Sequence, residues 1–454
     1  MASLKIADID RRCTPRITAN PPIGISGDMG AQLVNVNDGG ICFSTEKSLA
    51  LKTCYLTIDF PSEPVKIHIQ IKWGKKSENN NEFLYGASLI DTDNKTLTII
   101  RKYMISKQFK FVIKDIKNRL TRKHVLGFAK VFRDYLFKLI DLSVLLSERR
   151  IEKEELQKKI TILNNNIVTK GEKLREDINN KLIFNKIKHE FRLLVSCWAY
   201  KSQIMKRGFD KPRGYPGDYE TLEVIYDKKT FSPETELGYY FDGYFLDNPY
   251  AEAVRNRKDT LRGILLDLLK HKKDDTKVLN LACGSCRELV ELYKYDKDVL
   301  LGKSVTFSCL DWDEHALNFS KESLKNLPSN VKMNFIKEDV MKFVRGTEYF
   351  ETNGEQDLIY SIGLADYLPD RILKNMIKNS FKGLKKNGNF IIAHKDKEIA
   401  FSHLPPEWFC DWVFISRNER DMLKIVNDAG LENFSYDIKR EISGQIFFIT
   451  ITKH

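Results

Sequence analysis

The stretch Val278-Leu279-Asn280-Leu281-Ala282-Cys283-Gly284-Ser285-Cys286-Arg287-Glu288 decides the fold of the C-terminal half of the chain. It opens with an apolar run typical of a buried strand, continues through small residues and ends in charged residues typical of a first helical turn. Small residues let a ligand approach the backbone, and a helix that begins there offers free N–H groups. The stretch therefore predicts a strand, a ligand-binding loop and a helix in succession.

Strands and helices alternate from this stretch onward. The predicted strands are 277–282, 305–311, 332–337, 357–362 and 389–394. The intervals are long enough for crossover helices, which predicts an open, mostly parallel, doubly wound α/β sheet. A helix near 418–429 is followed by strands 434–441 and 445–452, joined at Ser443-Gly444, which predict a closing antiparallel hairpin.

Polar side chains close the successive strands, and ligands bind at the carboxyl ends of the strands in such a sheet. The second strand ends at Asp311, whose carboxylate can accept both hydroxyls of a ribose. The third ends in Glu338-Asp339, where Asp339 is placed to meet the exocyclic amine of an adenine. The fourth runs into the segment from Ser361 to Tyr367, which we expect to face the reacting centre.

Residues 277–395 resemble the class I S-adenosylmethionine-dependent methyltransferases. The resemblance rests on the order of three features at successive strand ends: the small-residue loop, Asp311 and Asp339. The predicted hairpin is similar to that family's closing strands. The family usually has glycines where this chain has Ala282 and Cys286, and an acidic residue where it has Asn280. The resemblance implies S-adenosylmethionine as cofactor. The cofactor-binding residues it implies are Ala282, Cys283, Gly284, Asp311, Trp312, Asp339, Val340 and Ser361.

The segment 211–219, Lys-Pro-Arg-Gly-Tyr-Pro-Gly-Asp-Tyr, is rich in turn residues and aromatic side chains. It is either a rigid turn between helices or a cap over the cofactor and acceptor pocket. The block resembles one in bacterial makers of 3-hydroxy-fatty-acid methyl esters, and that likeness covers roughly residues 190–454. It implies O-methylation of a small or fatty-acid carboxylate.

A carboxylate acceptor is already ionised at neutral pH, so it needs a positive or hydrogen-bonding clamp and no strong base. We expect this clamp, and the catalytic residues, to be Arg213, Tyr215, Tyr367 and His394. His394 is interpreted equally well as a satisfied core or surface histidine. An amine or phenol acceptor would require a base, for which Asp366 or His394 comes first.

The N-terminal part of the chain has a different texture. Short predicted strands lie at 32–37, 41–44, 54–60, 65–72 and 83–89, a spacing that favours a small β-barrel or sandwich. Before them stands Arg11-Arg12-Cys13-Thr14-Pro15-Arg16, whose guanidinium groups suit phosphate contact and stacking on guanine. In Asn35-Val36-Asn37-Asp38-Gly39-Gly40, the short polar side chains can read a guanine edge.

These two motifs resemble the PilZ domain, whose signature is R-x-x-x-R followed by [D/N]-x-[S/A]-x-x-G on a small barrel. Arg12 and Arg16 match the first half, and Arg11 extends it. Asn35 and Gly40 match the second half, whereas Asn37 departs from Ser or Ala. The likeness covers about residues 8–105 and implies cyclic di-GMP as an allosteric ligand. The alternative is a degenerate barrel that only mediates contacts.

Residues 106–190 are helical in texture, basic and without proline. Leu156, Ile160, Leu163 and Ile167 recur at 4-3-4 spacing, the seam of a helix packed within its own chain or of a homodimer formed through this linker. The basic residues alternate with acidic ones, which favours a solvated face over a nucleic-acid stripe. We therefore predict three domains: a barrel at 1–105, a helical linker at 106–190 and a methyltransferase domain with a helical cap at 191–454.

Composition limits the kinds of partner and the cellular location that we expect for the protein. The net charge of +12 suggests anionic partners, and an apolar run long enough for a membrane-spanning helix is lacking in the sequence. The eight scattered cysteines favour reduced thiols, and the N-terminus lacks the apolar core of a signal peptide, so we expect a cytoplasmic protein.

Competing functions stay open at this stage. A nicotinamide enzyme needs a better G-x-G-x-x-G, and Cys283-x-x-Cys286 is interpreted as packing, with no metal expected. Asp247-Asn248-Pro249-Tyr250 is similar to an amine-methyltransferase motif but lies before the loop, so it is interpreted as a turn. Besides a bacterial methyltransferase controlled by a second messenger, the alternatives are a nucleic-acid methyltransferase and a non-catalytic cyclic di-GMP effector.

Overall fold

The structure is a computed structural model and describes residues 17–26, 31–37, 39–77, 81–108, 116–272, 275–399 and 404–454. The chain forms two compact units, residues 1–206 with 231–244 and residues 207–230 with 245–454. The first unit combines the predicted barrel and the predicted helical linker. The division into three domains stays a prediction.

The first unit contains a closed antiparallel barrel with strand order β1-β2-β3-β6-β5-β4. Its strands are β1 Ile17–Ser26, β2 Ala31–Asn37, β3 Gly40–Thr45, β4 Thr53–Asp59, β5 Pro64–Lys76 and β6 Phe83–Ile90. Side chains on alternate positions of β5 point into the barrel: Val65, Ile67 and Ile69 are buried in the core, while the residues between them are more exposed. A small barrel is thus confirmed, and its relation to PilZ stays a prediction.

Helices complete the first unit. They are α1 Asn94–Gln108, α2 Arg119–Ser147, α3 Lys153–Ile178, α4 Lys181–Ala199 and α5 Gln203–Asp210, the last of which continues into the second unit. Asn118 and Asn180 cap α2 and α4, because each side chain accepts a hydrogen bond from a backbone N–H of the first turn. Tyr103 of α1 belongs to the hydrophobic core of the barrel.

The predicted helical seam is occupied within the chain. Leu156, Ile160 and Ile167 of α3 are at most 1% exposed. The Tyr135 hydroxyl of α2 donates to Asn164 Oδ1 of α3 over 2.8 Å in the buried interface. The packed-helix interpretation is therefore confirmed for this face, and a homodimer through the linker stays a prediction.

The second unit is built on a seven-stranded sheet of order β12-β13-β11-β10-β7-β8-β9. Its strands are β7 Thr276–Leu281, β8 Val305–Asp311, β9 Val331–Lys337, β10 Gln356–Ser361, β11 Leu384–Lys395, β12 Phe434–Arg440 and β13 Ile446–Lys453. The first five pair in parallel, whereas β13 is antiparallel to both β11 and β12. The predicted mostly parallel sheet and its antiparallel hairpin are confirmed.

Helices precede this sheet along the chain and lie between its strands. They are α6 Tyr219–Asp227, α7 Leu237–Leu246, α8 Pro249–His271, α9 Arg287–Asp296, α10 Glu314–Ser323, α11 Met341–Arg345, α12 Glu348–Asn353, α13 Asp370–Lys382, α14 Leu404–Cys410 and α15 Glu419–Asn427. Helix α7 contributes residues to both units. Asn248 caps α8 through a 2.8 Å bond from Tyr250 N, so the segment interpreted as a turn begins a helix with Pro249 in its first position.

Strand order positions the candidate site. The chain leaves β7 toward β8 on one side and returns as β10 on the other, so the order reverses between β7 and β10. Ligands of doubly wound sheets bind at the carboxyl ends of the strands at this point. Within the part of the chain that the structure describes, no helix has the length and apolar character needed to cross a membrane.

Candidate functional site

The loop after β7 has three residues in the left-handed backbone region at alternate positions. These are Ala282, Gly284 and Cys286, with φ values of 57°, 54° and 48°. Glycine adopts this region readily because it has no Cβ atom, whereas in other residues the Cβ atom comes too close to the backbone. The chain thus keeps a glycine-type loop conformation with two non-glycine residues, and α9 begins directly after it.

The carboxylate of Asp311 holds this loop against the end of β8. Its Oδ2 accepts a hydrogen bond from Gly284 N at 2.8 Å, and its Oδ1 accepts one from Asp313 N at 2.9 Å. Cys283 N also donates to Leu310 O at 3.0 Å. Asp311 is 4% exposed, and burial raises the pKa of its carboxyl. Each of its oxygens keeps a second lone pair, so the group can still accept hydroxyl donors.

The end of β9 lies beside Asp311. Glu338 N donates to Asp311 O at 3.0 Å, which places Asp339 and Val340 next to the β8 end. Asp339 is exposed and accepts a bond from Met341 N at 2.9 Å. Trp312 follows Asp311 and is 57% exposed. The predicted residues of the second and third strands therefore gather at one edge of the sheet.

Ser361 lies at the end of β10 but its hydroxyl is used inside the sheet. It is fully buried and donates to Leu281 O at 2.9 Å. This bond joins the carboxyl ends of β10 and β7. Contact of Ser361 with a ligand would therefore have to use its backbone.

The 211–219 segment lies over the carboxyl ends of the strands. Arg213 Nη1 is 3.4 Å from Asp313 Oδ1, and the Tyr215 ring centroid is 6.1 Å from that of Trp312. A Cβ atom on Gly217 would lie 3.1 Å from the Tyr367 hydroxyl, so the segment also approaches the region after β10. The segment is thus a turn between α5 and α6 that contacts residues following β8 and β10, and its role as a cap over a cofactor and acceptor pocket stays a prediction.

Two of the predicted catalytic side chains have internal partners. Arg213 Nη2 donates to Glu220 Oε1 at 2.7 Å, and its guanidinium lies 4.9 Å from the Tyr219 ring centroid. The Tyr367 hydroxyl accepts a 2.6 Å bond from Trp412 Nε1. Burial raises the pKa of both Tyr215 and Tyr367, so neither is a base near neutral pH.

His394 is buried with both ring nitrogens engaged. It is 1% exposed at the end of β11. Its Nδ1 lies 2.6 Å from Lys395 O, and its Nε2 lies 3.3 Å from Arg417 Nη1. A guanidinium can only donate, so Nε2 accepts and Nδ1 carries the proton. Burial lowers the pKa of the imidazole, and the geometry matches the satisfied core histidine of the two interpretations.

Three charged residues of this region escaped the sequence analysis: Arg257, Glu288 and Lys395. Glu288 Oε1 accepts bonds from Tyr360 Oη at 2.7 Å and from Asn280 Nδ2 at 3.0 Å. Asn280 stands where the resembled family has an acidic residue, and the neighbouring carboxyl here comes from α9. A charged residue that closes an apolar strand, as Lys395 does, is a sequence signal that could have been used.

Three thiols lie together under the loop: Cys283, Cys286 and Cys309 are all buried. Their interpretation as packing residues stays a prediction. In the described residues, no group of three or more metal-ligating side chains is arranged to hold a metal ion.

The predicted cyclic di-GMP residues are partly described. Arg11, Arg12 and Arg16 lie outside the described residues. Asn35 is half-buried, and its Oδ1 has no hydrogen-bond partner among the described residues. Asn37 Oδ1 accepts a 3.2 Å bond from Gly39 N. A Cβ atom on Gly40 would lie 2.4 Å from Ala87 O, so the close approach of β3 and β6 requires this glycine.

No protein-family model and no curated protein matches the chain. Solved structures match at low identity. One is described as a possible exported protein from Bordetella parapertussis, 14% identical over 71% of this chain and 96% of that chain, with a TM-score of 0.40.

Two further matches are methyltransferases. The magnesium protoporphyrin IX methyltransferase of Synechocystis PCC 6803, solved with bound SAM, is 13% identical over 45% of this chain and 83% of that chain, with a TM-score of 0.31. A SAM-dependent methyltransferase from Leishmania major is 15% identical over 44% of this chain and 74% of that chain, with a TM-score of 0.32. The fold described above rests on the chain's own strand order.

Proposed function

We propose that this chain is an S-adenosylmethionine-dependent methyltransferase that O-methylates a small or fatty-acid carboxylate. The observation that supports the cofactor is the loop after β7, with left-handed backbone at Ala282, Gly284 and Cys286, bound to the carboxylate of Asp311. Loop and carboxylate stand at the reversal of strand order, where doubly wound sheets bind nucleotides. The carboxylate acceptor is supported by the resemblance of the 211–219 segment.

The residues present fit this cofactor. Small side chains in the loop admit a ligand to the backbone, and the free lone pairs of Asp311 suit the two hydroxyls of a ribose. Trp312 and Val340 offer apolar surface for the adenine, while Asp339 is exposed and can accept its amine hydrogen. The segment 211–219 would exclude water from the reacting centre.

When bound, S-adenosylmethionine supplies a methyl group that an acceptor oxygen takes with its own lone pair while the carbon–sulfur bond breaks and its electrons stay on sulfur. A carboxylate acceptor releases no proton in this step, so the chain needs no base. Its residues have to orient the acceptor and neutralise its charge. The raised pKa values of Tyr215 and Tyr367 fit this requirement, because both stay hydrogen-bond donors.

Calorimetric titration of the chain with S-adenosylmethionine tests the proposal. We expect micromolar binding, and a loss of at least about tenfold in Asp311→Asn, because the variant's amide cannot accept hydroxyl and N–H donors on both atoms. Asp298→Asn, at an exposed carboxylate of the same domain, is the matched control and should bind like the wild type. Absence of binding at millimolar ligand would leave only the non-catalytic effector.

The nucleic-acid alternative has a separate readout. Binding of RNA with an affinity that falls steeply with salt, together with methyl transfer to it, would replace the carboxylate acceptor. The net charge of +12 favours this alternative, and the mixture of acidic with basic residues in the helical region disfavours it.

We also propose that the N-terminal barrel binds cyclic di-GMP and that binding changes methyl transfer. Asn35 Oδ1, which has no hydrogen-bond partner in the part of the chain that the structure describes, supports this proposal, since it can accept a guanine N–H. The test titrates cyclic di-GMP into wild type, Arg12→Ala and, as control, Arg119→Ala at an exposed position of α2. Binding lost only in Arg12→Ala supports the proposal, and unchanged turnover with saturating dinucleotide refutes the regulation.

A further inference from the structure

The outer surface of strand β5 carries a row of basic and aromatic side chains. Val65, Ile67 and Ile69 point into the barrel core, so the residues that alternate with them point outward. The register with β6 shifts between Ile71 and Trp73, which places one extra residue, Lys72, in a bulge. The outward row consists of Lys66, His68, Gln70, Lys72, Trp73 and Lys75. We refer to this row, together with Tyr55 of β4, as the β5 face.

Two aromatic rings stack on the β5 face. Tyr55 lies opposite His68 in the register of β4 with β5, and their ring centroids are 4.4 Å apart at an interplanar angle of 12°. Lys66 Nζ lies 5.0 Å from the centroid of the Tyr55 ring. Tyr55 is nevertheless 61% exposed, so much of its side chain stays open to solvent. An exposed ring of this kind can stack with a nucleic-acid base.

Trp73 provides a second exposed ring further along β5. It pairs with Gly86, which lies between the core residues Tyr85 and Ala87 of β6, so its side chain is on the outer surface. A Cβ atom on Gly86 would lie 2.2 Å from the indole, so the ring rests on β6 where a side chain is missing. Trp73 is 41% exposed and lies about 15 Å along the strand from His68. The two ring positions can therefore take separate bases of one strand.

The charge of the β5 face suits a polyanion. Strands β4, β5 and β6 together contain four lysines and a single acidic residue, Asp59. Lys66, Lys72 and Lys75 make no ion pair with a carboxylate of the described residues, although Lys72 Nζ donates to Gln70 Oε1. Their ammonium groups are therefore available to phosphate oxygens.

The other acidic groups of this region lie in the connections at the margins of the face. Glu63 Oε2 pairs with Lys95 Nζ at 3.2 Å, and Asp91 Oδ2 lies 3.7 Å from His68 Nδ1. Glu82 precedes β6 and is exposed. The row on β5 itself is free of acidic residues from Pro64 to Lys76.

We propose that the β5 face binds single-stranded nucleic acid, with bases stacked on Tyr55 and Trp73 and phosphates bound by the lysines of the row. Exposed rings between lysines are the combination by which small barrels hold single strands. An acidic peptide would use the lysines and leave the rings without stacking partners. The site goes beyond the proposed methyl transfer and does not depend on it.

The proposed site is separate from the described residues of the cyclic di-GMP proposal. Asn35 and Asn37 belong to β2, and β5 lies three strands away from β2 in either direction around the barrel. Cyclic di-GMP should therefore not displace a bound single strand. Complete displacement at saturating dinucleotide would overturn the assignment to the β5 face.

Fluorescence anisotropy of labelled oligouridine and oligothymidine, each about 12 nucleotides long, tests the stacking in the full chain. We expect Tyr55→Ala and Trp73→Ala each to bind at least about fivefold more weakly than wild type, the loss of one stacked base. Tyr295→Ala is the matched control, because Tyr295 of α9 is 60% exposed and also lies beside cations. The two oligomers distinguish RNA from DNA as the preferred strand.

Thermal unfolding shows whether a loss of binding is a loss of fold. Tyr55→Ala should melt with the wild type, because the ring that it removes is largely exposed. It keeps the test valid if Trp73→Ala, which uncovers Gly86, is destabilised.

Salt dependence tests the lysines of the row. The triple variant with glutamine at Lys66, Lys72 and Lys75 should lower the slope of log affinity against log salt by about 2, since each phosphate contact of a single strand contributes about 0.7. A triple variant with glutamine at three exposed lysines of α3 should keep the wild-type slope. These are Lys158, Lys170 and Lys173.

Three further results would overturn the site. The first is no binding of either oligomer at about 100 μM in low salt, the weak limit of non-specific binding. The second is equal affinity in wild type, Tyr55→Ala and Trp73→Ala. The third is competition by polyglutamate as strong as that by unlabelled oligouridine, which would mean that the lysines accept any polyanion. Ring-dependent binding without methylation of the oligomer supports the site and leaves the proposed carboxylate acceptor unchanged.

Discussion

Ala282 and Cys286 hold a backbone conformation that costs an L residue roughly 1–2 kcal/mol. The surrounding bonds enforce it: Gly284 is held from both sides, by the Asp311 carboxylate at its N–H and by the Ser320 hydroxyl at its carbonyl oxygen. The loop is therefore strained next to the proposed cofactor site. Strain of this kind persists where the surrounding structure determines the conformation.

Replacing Ala282 with glycine should relieve this strain. We expect Ala282→Gly to raise the free energy of unfolding of the second unit by up to about 1 kcal/mol, the steric gain less the extra entropy of an unfolded glycine. Ala316→Gly, in the interior of α10, is the control and should lower it by about 1 kcal/mol. Urea unfolding followed by tryptophan fluorescence measures both, and equal losses would show that the loop is unstrained.

The buried carboxyl of Glu288 makes a contribution to the free energy of unfolding that depends on pH, because burial disfavours its ionised form. Burial raises the pKa of its carboxyl from 4.5 to about 8. The folded chain therefore holds a proton that the unfolded chain releases above its ordinary pKa. Its contribution to the free energy of unfolding falls as the pH rises through this window, by up to about 1.4 kcal/mol per pH unit.

Glu288→Gln should remove this dependence, because the amide oxygen can still accept from Tyr360 and Asn280. Measured by urea unfolding at several pH values between 5 and 8, the variant should gain stability relative to wild type as the pH rises. Glu351→Gln, at an exposed position of α12, should follow the wild type throughout. A constant difference between Glu288→Gln and wild type across the range would mean that Glu288 is ionised when folded.

At the scale of elements, some glycines are required because two strands approach each other closely. The PilZ-like signature alone would explain Gly40 by ligand binding. Strands β3 and β6 come together at Gly40, and β5 and β6 at Gly86, where a Cβ atom would lie 2.2 Å from the Trp73 ring. Gly40 is thus required for the pairing of β3 with β6, whether or not a dinucleotide binds there.

The adjacent pair Gly39 and Gly40 separates packing from recognition. Gly40→Ala should lower the free energy of unfolding of the barrel by about 2 kcal/mol, because its Cβ would meet the backbone oxygen of Ala87. Gly39→Ala should change it by less than about 0.5 kcal/mol, since among the described residues its Cβ would have a single neighbour, at 3.9 Å. Thermal unfolding followed by circular dichroism measures both, and equal effects would mean that the two strands are more widely spaced.

At the scale of the whole molecule, the chain carries a separate hydrophobic cluster in the barrel and another in the seven-stranded sheet. The two units interleave along the sequence, because residues 231–244 belong with the first unit although residues on both sides belong to the second. Each unit buries its own apolar surface, which is the condition for separate unfolding.

Two helical glycines test this division. Gly127 of α2 and Gly263 of α8 lie in helix interiors, and no described residue has an atom within 4 Å of a Cβ atom added there. Alanine at either position should raise the free energy of unfolding by about 1 kcal/mol through helix propensity. Scanning calorimetry should show Gly127→Ala and Gly263→Ala moving different transitions. One transition that both variants move equally would refute the division into two units.

Strand positions could be predicted from the sequence because their signal is local. Alternation in β5, apolar runs in β7 and β10 and turn residues between them are set by neighbours along the chain. The sites at strand ends, Asp311 and Asp339, follow once a parallel sheet is assumed, since the carboxyl ends of parallel strands share one edge.

Local pattern in the chain was therefore enough for barrel strands β2 to β6, the mostly parallel sheet with its hairpin, and the loop with two acidic residues beside it, whereas strand β1 Ile17–Ser26 was missed. It took the folded molecule to show that both ring nitrogens of His394 are engaged and that Lys395 is buried over the Phe414 ring. The reason is physical: burial, hydrogen-bond partners and pKa depend on side chains more than a hundred positions apart, as Arg257 is from Asp366. Such contacts leave no periodic pattern in the chain, so only the folded molecule brings them together.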